Sequence, residues 1–445
     1  MTMRWGLDHI GRVCGGEVSG EGVIDSVGID SRTIESGGLF VAVRGEHHDG
    51  HDFIAAARAA GAVGAVAEVG RLGRGAGVEV VDTLESLRAL GVARRDEIEC
   101  PVIGVTGSNG KTTTKDLISS VVGPGAHASR ESFNNEFGVP LTMLEAPDGA
   151  TSLVIEVGSR GSGHIAHLGS AIRPDVAVIT NIGRAHLEMF GSIERVLDAK
   201  WELVELLGAE GVAVLPADDP RLLERATGAV VTFGEDSGAD VDAVNVVIDE
   251  VGRPAFTLHW GDEAVAIRMP LAGRHQAANA AAAVAAAVAI GRPFTEVAGR
   301  LETARVSRWR MELDSVPLGD GEILVVNDAY NANPDSVASA LDTVAAIPGR
   351  HIAVLGKMHE LGEFEAAAHR QAGALAASLG FMVVVVGDDP GIAEGAGKAA
   401  LSVADAVEAL DCLLGTIISG DVVLVKASRA AGLEVVAAGL TGRAA

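Results

Sequence analysis

Residues 104–115 read GVTGSNGKTTTK and follow a short apolar run, Pro101 to Val105. The run has the look of a buried strand, and a helix is expected to begin at the lysine. Gly104, Gly107 and Gly110 free the backbone to turn tightly and aim N–H groups inward. Lys111 adds a cation, and Thr112 a hydroxyl able to reach Mg²⁺. The helix N-terminus places its positive dipole end on the same side. The stretch Thr106, Gly107, Ser108, Asn109, Gly110, Lys111, Thr112 and Thr113 therefore predicts a cradle for the phosphates of a nucleotide. The common phosphate-loop spacing would put its first glycine where Val105 stands, so this is a variant. The bland alternative is a glycine-rich turn between a strand and a helix.

Composition removes other classes. The formal charge is −25, which argues against a nucleic-acid surface, because phosphate backbones need clustered Lys and Arg. Apolar residues make up 48% and aromatic ones 3%, so the cores must be built from Ala, Val, Leu and Ile. Cys14, Cys100 and Cys412 are too scattered for a disulfide framework or a zinc site, which suits a reducing cytoplasm. The N-terminus lacks the apolar centre of a secretion signal. The Ala-rich run from Gln276 to Ile290 is too short to span a bilayer comfortably and reads as a close-packed internal helix. No membrane insertion is expected.

At 445 residues the chain is long enough for several cores. Three blocks are expected: 1–98, 99–314 and 315–445. Strands are predicted at Leu153–Val157, Val176–Asn181 and Val212–Leu215 in the middle block. In the last they are predicted at Ile323–Asn327, Ile352–Leu355, Met382–Val386 and Val422–Lys426. Helical stretches separate them. This α/β alternation predicts mostly parallel sheets covered on both faces. Glu97–Pro101 and Pro317–Gly321 are the expected linkers.

Ligands of open α/β sheets bind at the carboxyl ends of strands. Glu156 ends one such run, Asn181 another, and His186 follows in the next loop. With Thr112, Glu156 and His186 form a candidate Mg²⁺ site, since carboxylate and hydroxyl oxygens suit a hard cation. Taken singly, Glu156 could be a helix cap or ion-pair partner and His186 a hydrogen-bonded loop residue. Lys200 is the most unusual residue. On a helix spanning Ser192–Leu207 it shares the apolar stripe of Val196, Leu197, Trp201 and Val204. A lysine there must snorkel, pair or be chemically altered. Addition of CO₂ would turn it into an anionic carbamate able to bridge metals. His275 and Asn279 flank the start of the Ala-rich helix, Arg308 and Arg310 lie in SRWRME, and Asp328, Tyr330, Asn331 and Asn333 crowd the loop after a strand. That loop could be an ordinary connection, with Asp335 or Ser336 capping the next helix.

At these residues the chain resembles the Mur ligases, ATP-dependent amide-forming enzymes of peptidoglycan precursor synthesis. The resemblance spans essentially the whole length and rests on TGSNGKTTTK, FNNEFGVPLT, IEVG, TNIGRAHLE, DAKWEL, GRHQAANA, WRMEL and NDAYNANPDS. It implies three domains: an N-terminal UDP-substrate domain, a central ATPase domain and a C-terminal Rossmann-like domain. It implies addition of D-alanyl-D-alanine to UDP-N-acetylmuramoyl-tripeptide through an acyl phosphate, in the cytoplasm, by a monomer. Thr112 and Glu156 match the ligands of one Mg²⁺, His186 and carbamylated Lys200 those of a second. Lys111, Glu156, His186 and Lys200 match the catalytic set, and Asn279, Arg310 and Asp328 match ATP contacts. Ser31, Arg32, Asn134 and Asn135 are candidates for the UDP-muramoyl peptide, as are Tyr330, Asn331 and Asn333 for substrate.

The last block departs from the family pattern. Lys357 stands where an acidic residue is usual, Ala427 replaces the glycine of a Gly-Ser-Arg motif, and Ala430, Ala431 and Gly432 are smaller than usual. These departures bear on the amine substrate more than on the ATP chemistry. The competing readings are a related ligase with a different amine, such as a folylpolyglutamate synthase, and a nucleotide-binding regulator without turnover.

Overall fold

The computed structural model describes residues 3–45, 47–183 and 187–443. Three main sheets are arranged along the chain, with a two-stranded pairing of Trp5–Gly6 and Val23–Ile24 at its start. The first main sheet has five strands: Ser26–Gly28, Gly38–Val41, Gly64–Glu68 and Gly77–Val80 run parallel, and Glu17–Ser19 closes one edge antiparallel. Its core is aliphatic, with Leu39, Val41, Val66, Val78, Leu87 and Leu90 all out of solvent.

The central sheet has nine strands, and Val102–Thr106 lies between Val176–Ile179 and Ser152–Glu156. These three run parallel, so their carboxyl ends open on the same side. That places the residues after Thr106, Glu156 and Ile179 around one crevice, as parallel doubly covered sheets do. The far edge continues antiparallel through Pro254–Trp260 and Glu263–Arg268, strands that the sequence pattern did not signal. The Ala-rich segment is a buried helix, Gln276–Ala289. Small side chains let it approach the phosphate-loop helix Lys111–Val122 closely, and both bury against the same aliphatic cluster.

The third sheet has six strands, with a hairpin of Glu312–Leu318 and Gly321–Asn327 at one edge and parallel strands beyond it. Strand positions follow the apolar runs: Asp421–Lys426, Arg350–Leu355 and Met382–Val386 lie where continuous Val, Ile and Leu predicted them. Two local expectations change. Pro317–Gly321 is the tip of the hairpin instead of a linker: Pro317, Leu318 and Gly321 belong to its strands, and Gly319, at φ 61°, and Asp320 make the turn between them. The chain crosses between the second and third sheets over residues 304–311, before the strand that begins at Glu312. The expected division after residue 314 falls within that strand. Gly104 also changes role. It lies inside the strand Val102–Thr106, where a Cβ would meet Leu203 at 3.1 Å, so it serves packing and not the loop.

Candidate active site

The phosphate loop is built by backbone freedom and by bracing from the neighbouring strand end. Gly107 has φ 147°, and a Cβ there would come within 1.9 Å of Thr180 Oγ1. Only glycine fits such an approach. Gly110, at φ 77°, turns the chain into the helix Lys111–Val122. Asn181 holds the loop from beside it: its Oδ1 accepts from Asn109 N–H at 3.0 Å and its Nδ2 donates to Asn109 O at 3.1 Å. Thr180 Oγ1 donates to the same carbonyl at 2.6 Å.

Ser108–Thr113, Asn134, Asn135, Glu156, Lys200, Asn279, Arg310, Asp328, Tyr330, Asn331 and Asn333 all line one cavity of about 760 Å³. Its walls come from the second and third sheets together. Thr106 is buried in the strand behind it, with no partner for its hydroxyl among the described residues. Ser31 and Arg32 lie apart from this cavity, on a turn of the first sheet, and Arg32 is clasped by Asp30 at 2.6 Å. His186 lies outside the described residues.

Lys111 Nζ donates to Gly107 O at 2.9 Å and Ser108 O at 3.0 Å. Burial pushes its pKa below the usual lysine value; Glu156 opposes this and Arg310 adds to it. Glu156 is buried with one bond to each oxygen: Thr112 Oγ1 donates to its Oε2 at 2.7 Å and Asn134 Nδ2 to its Oε1 at 2.7 Å. A hydroxyl and a carboxylate oxygen this close, facing a polar cavity, are the donor set a hard divalent cation prefers. Among the described residues no group of three or more His, Cys, Asp or Glu is placed to hold a metal. The candidate set reaches its size only with a threonine, a lysine and His186.

Lys200 is 2% exposed, so it does not snorkel. Its nitrogen stands 5.9 Å from the Phe190 ring centroid. Burial holds its pKa well below the usual lysine value, and the charge of Lys111 pushes the same way. The helix Ile193–Glu205 fixes this placement, capped by Ser192 Oγ on Arg195 N–H.

The third sheet meets the loop directly. Arg310 Nη2 donates to Thr112 Oγ1 at 2.8 Å, and its buried Nε has no partner among the described residues. Asn333 Nδ2 donates to Asn109 Oδ1 at 2.6 Å. Asn333, not Asp335 or Ser336, caps the helix Pro334–Ala345. Its side chain accepts from Ser336 N–H while Ser336 Oγ returns a bond to Asn333 N–H. The reciprocal pair explains why Asn precedes Pro here. Asn135 is likewise structural at one end, its Oδ1 accepting from Gly138 N–H at 2.9 Å. His275 Nδ1 pairs with Ser339 Oγ at 2.9 Å, and burial lowers its pKa.

Lys426 was missed from the sequence. It ends a buried strand, 2% exposed, pairs with Asp328 Oδ2 at 2.5 Å and donates to Asn331 O at 2.9 Å. The signal was available: a lysine closing an otherwise apolar run, as with Lys200 on its stripe. Ser132, Arg160 and His164 also line the cavity and carried no such signal. The departures noted above are accommodated locally. Lys357 pairs with Glu365 at 2.7 Å. Ala427 fits because Gly356 faces it, where a Cβ would meet Ala427 Cβ at 2.9 Å.

A central parallel sheet with a phosphate loop, roofed by a second α/β domain that reaches the loop hydroxyl, defines a three-domain nucleotide-dependent ligase class. Three family descriptions match in chain order: "Mur ligase family, catalytic domain" over 23–95, "Mur ligase middle domain" over 105–287, and "Mur ligase, glutamate ligase domain" over 309–429. The UDP-N-acetylmuramoyl-tripeptide--D-alanyl-D-alanine ligase of Mycobacterium tuberculosis (strain H37Rv) is 39% identical, over 93% of this chain and 92% of that one. The chain belongs to the Mur ligase family. A crystal structure of MurF from Acinetobacter baumannii superposes with TM-score 0.90 at 30% identity, covering 99% of this chain and 100% of that chain. MurF from Thermotoga maritima in complex with ADP gives 0.82 at 29%, covering 94% and 97%.

Proposed function

We propose that this chain joins D-alanyl-D-alanine to UDP-N-acetylmuramoyl-tripeptide at the expense of ATP. The observation that carries the reading is the single cavity in which the phosphate loop, Glu156, Lys200 and the Asp328–Asn333 loop converge. The tripeptide's terminal carboxylate attacks the γ-phosphorus, the bond to ADP breaks, and an acyl phosphate forms. The dipeptide amine then attacks the acyl carbon, loses a proton, and phosphate leaves as the amide forms. Lys111 and the loop N–H groups neutralise charge on the transferring phosphoryl group, and Arg310 extends that field from the third sheet. Positioning is the rest of the task, since phosphoryl transfer asks for little covalent help.

Thr112 and Glu156 would hold one Mg²⁺, and Lys200 as a carbamate with His186 a second. The cations would supply Lewis-acid neutralisation of phosphate oxygens. The carbamate forms when the neutral Lys200 amine attacks CO₂ and releases one proton. Its buried site and lowered pKa favour the neutral amine. Ser31, Arg32, Asn134 and Asn135 are read as contacts of the muramoyl substrate, Tyr330, Asn331 and Asn333 as further substrate contacts, and Asn279, Arg310 and Asp328 as nucleotide contacts. No helix among the described residues is long and apolar enough to cross a membrane. We read the enzyme as a cytoplasmic monomer, in keeping with the family resemblance.

The test is phosphate release from Mg-ATP with UDP-muramoyl-tripeptide and D-alanyl-D-alanine, omitting each in turn. Release that needs all three supports the reading. Release with a different amine moves the substrate assignment to the loops bearing Lys357 and Ala427. ATP binding without release in any mixture sinks it.

A further inference from the structure

Two adjacent side chains on the phosphate-loop helix have no part in the steps above. Lys115 is 1% exposed, yet its ammonium is fully engaged. Nζ donates to Ser129 O at 2.6 Å and Glu131 O at 2.9 Å, and lies 2.6 Å from Asp116 Oδ1. Three donors thus meet three oxygens, which is what a buried ammonium requires. Glu131 sits at φ 44°, a conformation costly for a side-chain-bearing residue, and the lysine grips its carbonyl.

The segment Lys115 grips is functional on both sides. Ser129 Oγ accepts from Glu156 N–H at 3.1 Å, Asn134 donates to the Glu156 carboxylate, and Ser132 Oγ bonds the Tyr330 hydroxyl of the third sheet. Asp116 grips a different segment. Its Oδ2 accepts from Ser307 N–H at 2.7 Å and Ser307 Oγ at 2.8 Å. Ser307 lies three residues before Arg310, which reaches Thr112 and stacks on Tyr330 at 4.2 Å. One helical turn therefore anchors two arms, residues 129–134 and 305–310, and the arms meet again at Tyr330.

We propose that Lys115 and Asp116 are positioning residues that couple the substrate-side loop to the contacts the third domain makes with the phosphate loop. The ion pair sets where both arms start, so Tyr330 finds Ser132 and Arg310 together. Without Lys115, the loop bearing Asn134 drifts from Glu156 while the phosphate cradle stays intact. Without the Asp116 carboxylate, the crossing segment is released and Arg310 loses its fixed approach to Thr112. This role rests on the ligase reading for its kinetic consequence but not for its structural one.

The test uses the full chain with Lys115→Met and Asp116→Asn. In Lys115→Met, amide exchange over residues 129–135 should quicken at least about tenfold, and in Asp116→Asn the same should hold over 305–311. Mg-ADP affinity should stay within about threefold, while kcat/KM for the tripeptide nucleotide falls about 100-fold, mostly through KM for Lys115→Met and kcat for Asp116→Asn. Unchanged exchange in both segments would overturn the proposal, as would a loss of Mg-ADP affinity matching the loss of turnover. If Lys115→Met does not fold, Asp116→Asn decides alone. If wild-type protein shows no ligation, the ligase reading fails and the exchange data still decide the coupling.

Discussion

The Arg310 guanidinium lies 4.2 Å from the Tyr330 ring centroid while donating to Thr112 Oγ1 at 2.8 Å. One side chain thus joins the third domain's loop to the hydroxyl beside Glu156. Arg310→Ala removes both contacts and leaves Glu156 without that cationic neighbour. The expected outcome is a fall in kcat of about 100-fold or more, with Mg-ADP binding weakened less. Steady-state kinetics beside nucleotide titration measures both.

Tyr330 separates stacking from hydrogen bonding. Tyr330→Phe keeps the ring under Arg310 and loses only the bond to Ser132, which predicts a loss of about 1 kcal/mol, or roughly fivefold in kcat/KM. Tyr330→Ala loses the stack as well and should cost about tenfold more. Equal effects of the two substitutions would mean that the stack contributes nothing to turnover.

Lys200→Ala is expected to lower turnover by at least about 1000-fold, because it deletes the buried group proposed above as a metal ligand. Short carboxylic acids should restore part of the rate if a carbamate oxygen is what the variant lacks. Wild-type rates in the alanine variant would remove the carbamate from the mechanism.

His369 predicts a pH dependence away from the chemistry. Its Nε2 accepts from Met358 N–H at 2.9 Å, and Nδ1 faces Asp389. Burial lowers its pKa, with Asp389 and Glu365 opposing and Lys357 assisting. Protonation would break the Met358 bond. Below its ordinary pKa of about 6.5, the unfolded chain takes up a proton that the folded chain resists, so stability falls with acidification, by at most about 1.4 kcal/mol per pH unit. Denaturant midpoints between pH 7 and 5 should therefore drop, and His369→Leu should flatten the slope.

Cys14 should be inert. Burial pushes its thiol up to about 11, with the Ser86 side chain opposing, and the S–H donates to the Ser86 carbonyl. At pH 8 its thiolate fraction is about 0.1%, so alkylation should run about 100-fold slower than at an ordinary cysteine. Mass spectrometry of labelled peptides reads this directly.

The strands of the second and third sheets were legible where they are continuous Val, Ile and Leu runs, because a strand buried on both faces admits little else. Pro254–Trp260 and the edge strand Glu263–Arg268 were not: the first alternates Pro254, Phe256 and Leu258 inward with Ala255, Thr257 and His259 between them and so lacks a continuous apolar run, and the second is largely exposed with a charge at each end. Helical spacing put Lys200 on an apolar stripe but left snorkelling open, and only the packing around the helix keeps it buried. The capping role of Asn333 was hidden, because Asn, Asp and Ser within four residues are all competent caps and only the backbone path selects one.

The sequence by itself determined the phosphate loop, the helix that follows it and the aliphatic character of three cores, because glycine spacing and apolar runs act locally. Only the tertiary structure decided which distant polar groups meet. Lys426 reaches Asp328, Arg310 reaches Thr112, and Lys115 holds the loop of Ser132, over separations of 98, 198 and 16 residues for the bonds that fix them. Such pairings depend on how parallel strands order themselves and on how one domain settles over another. Both are set by the sum of many weak packing contacts, which no short pattern of residues records.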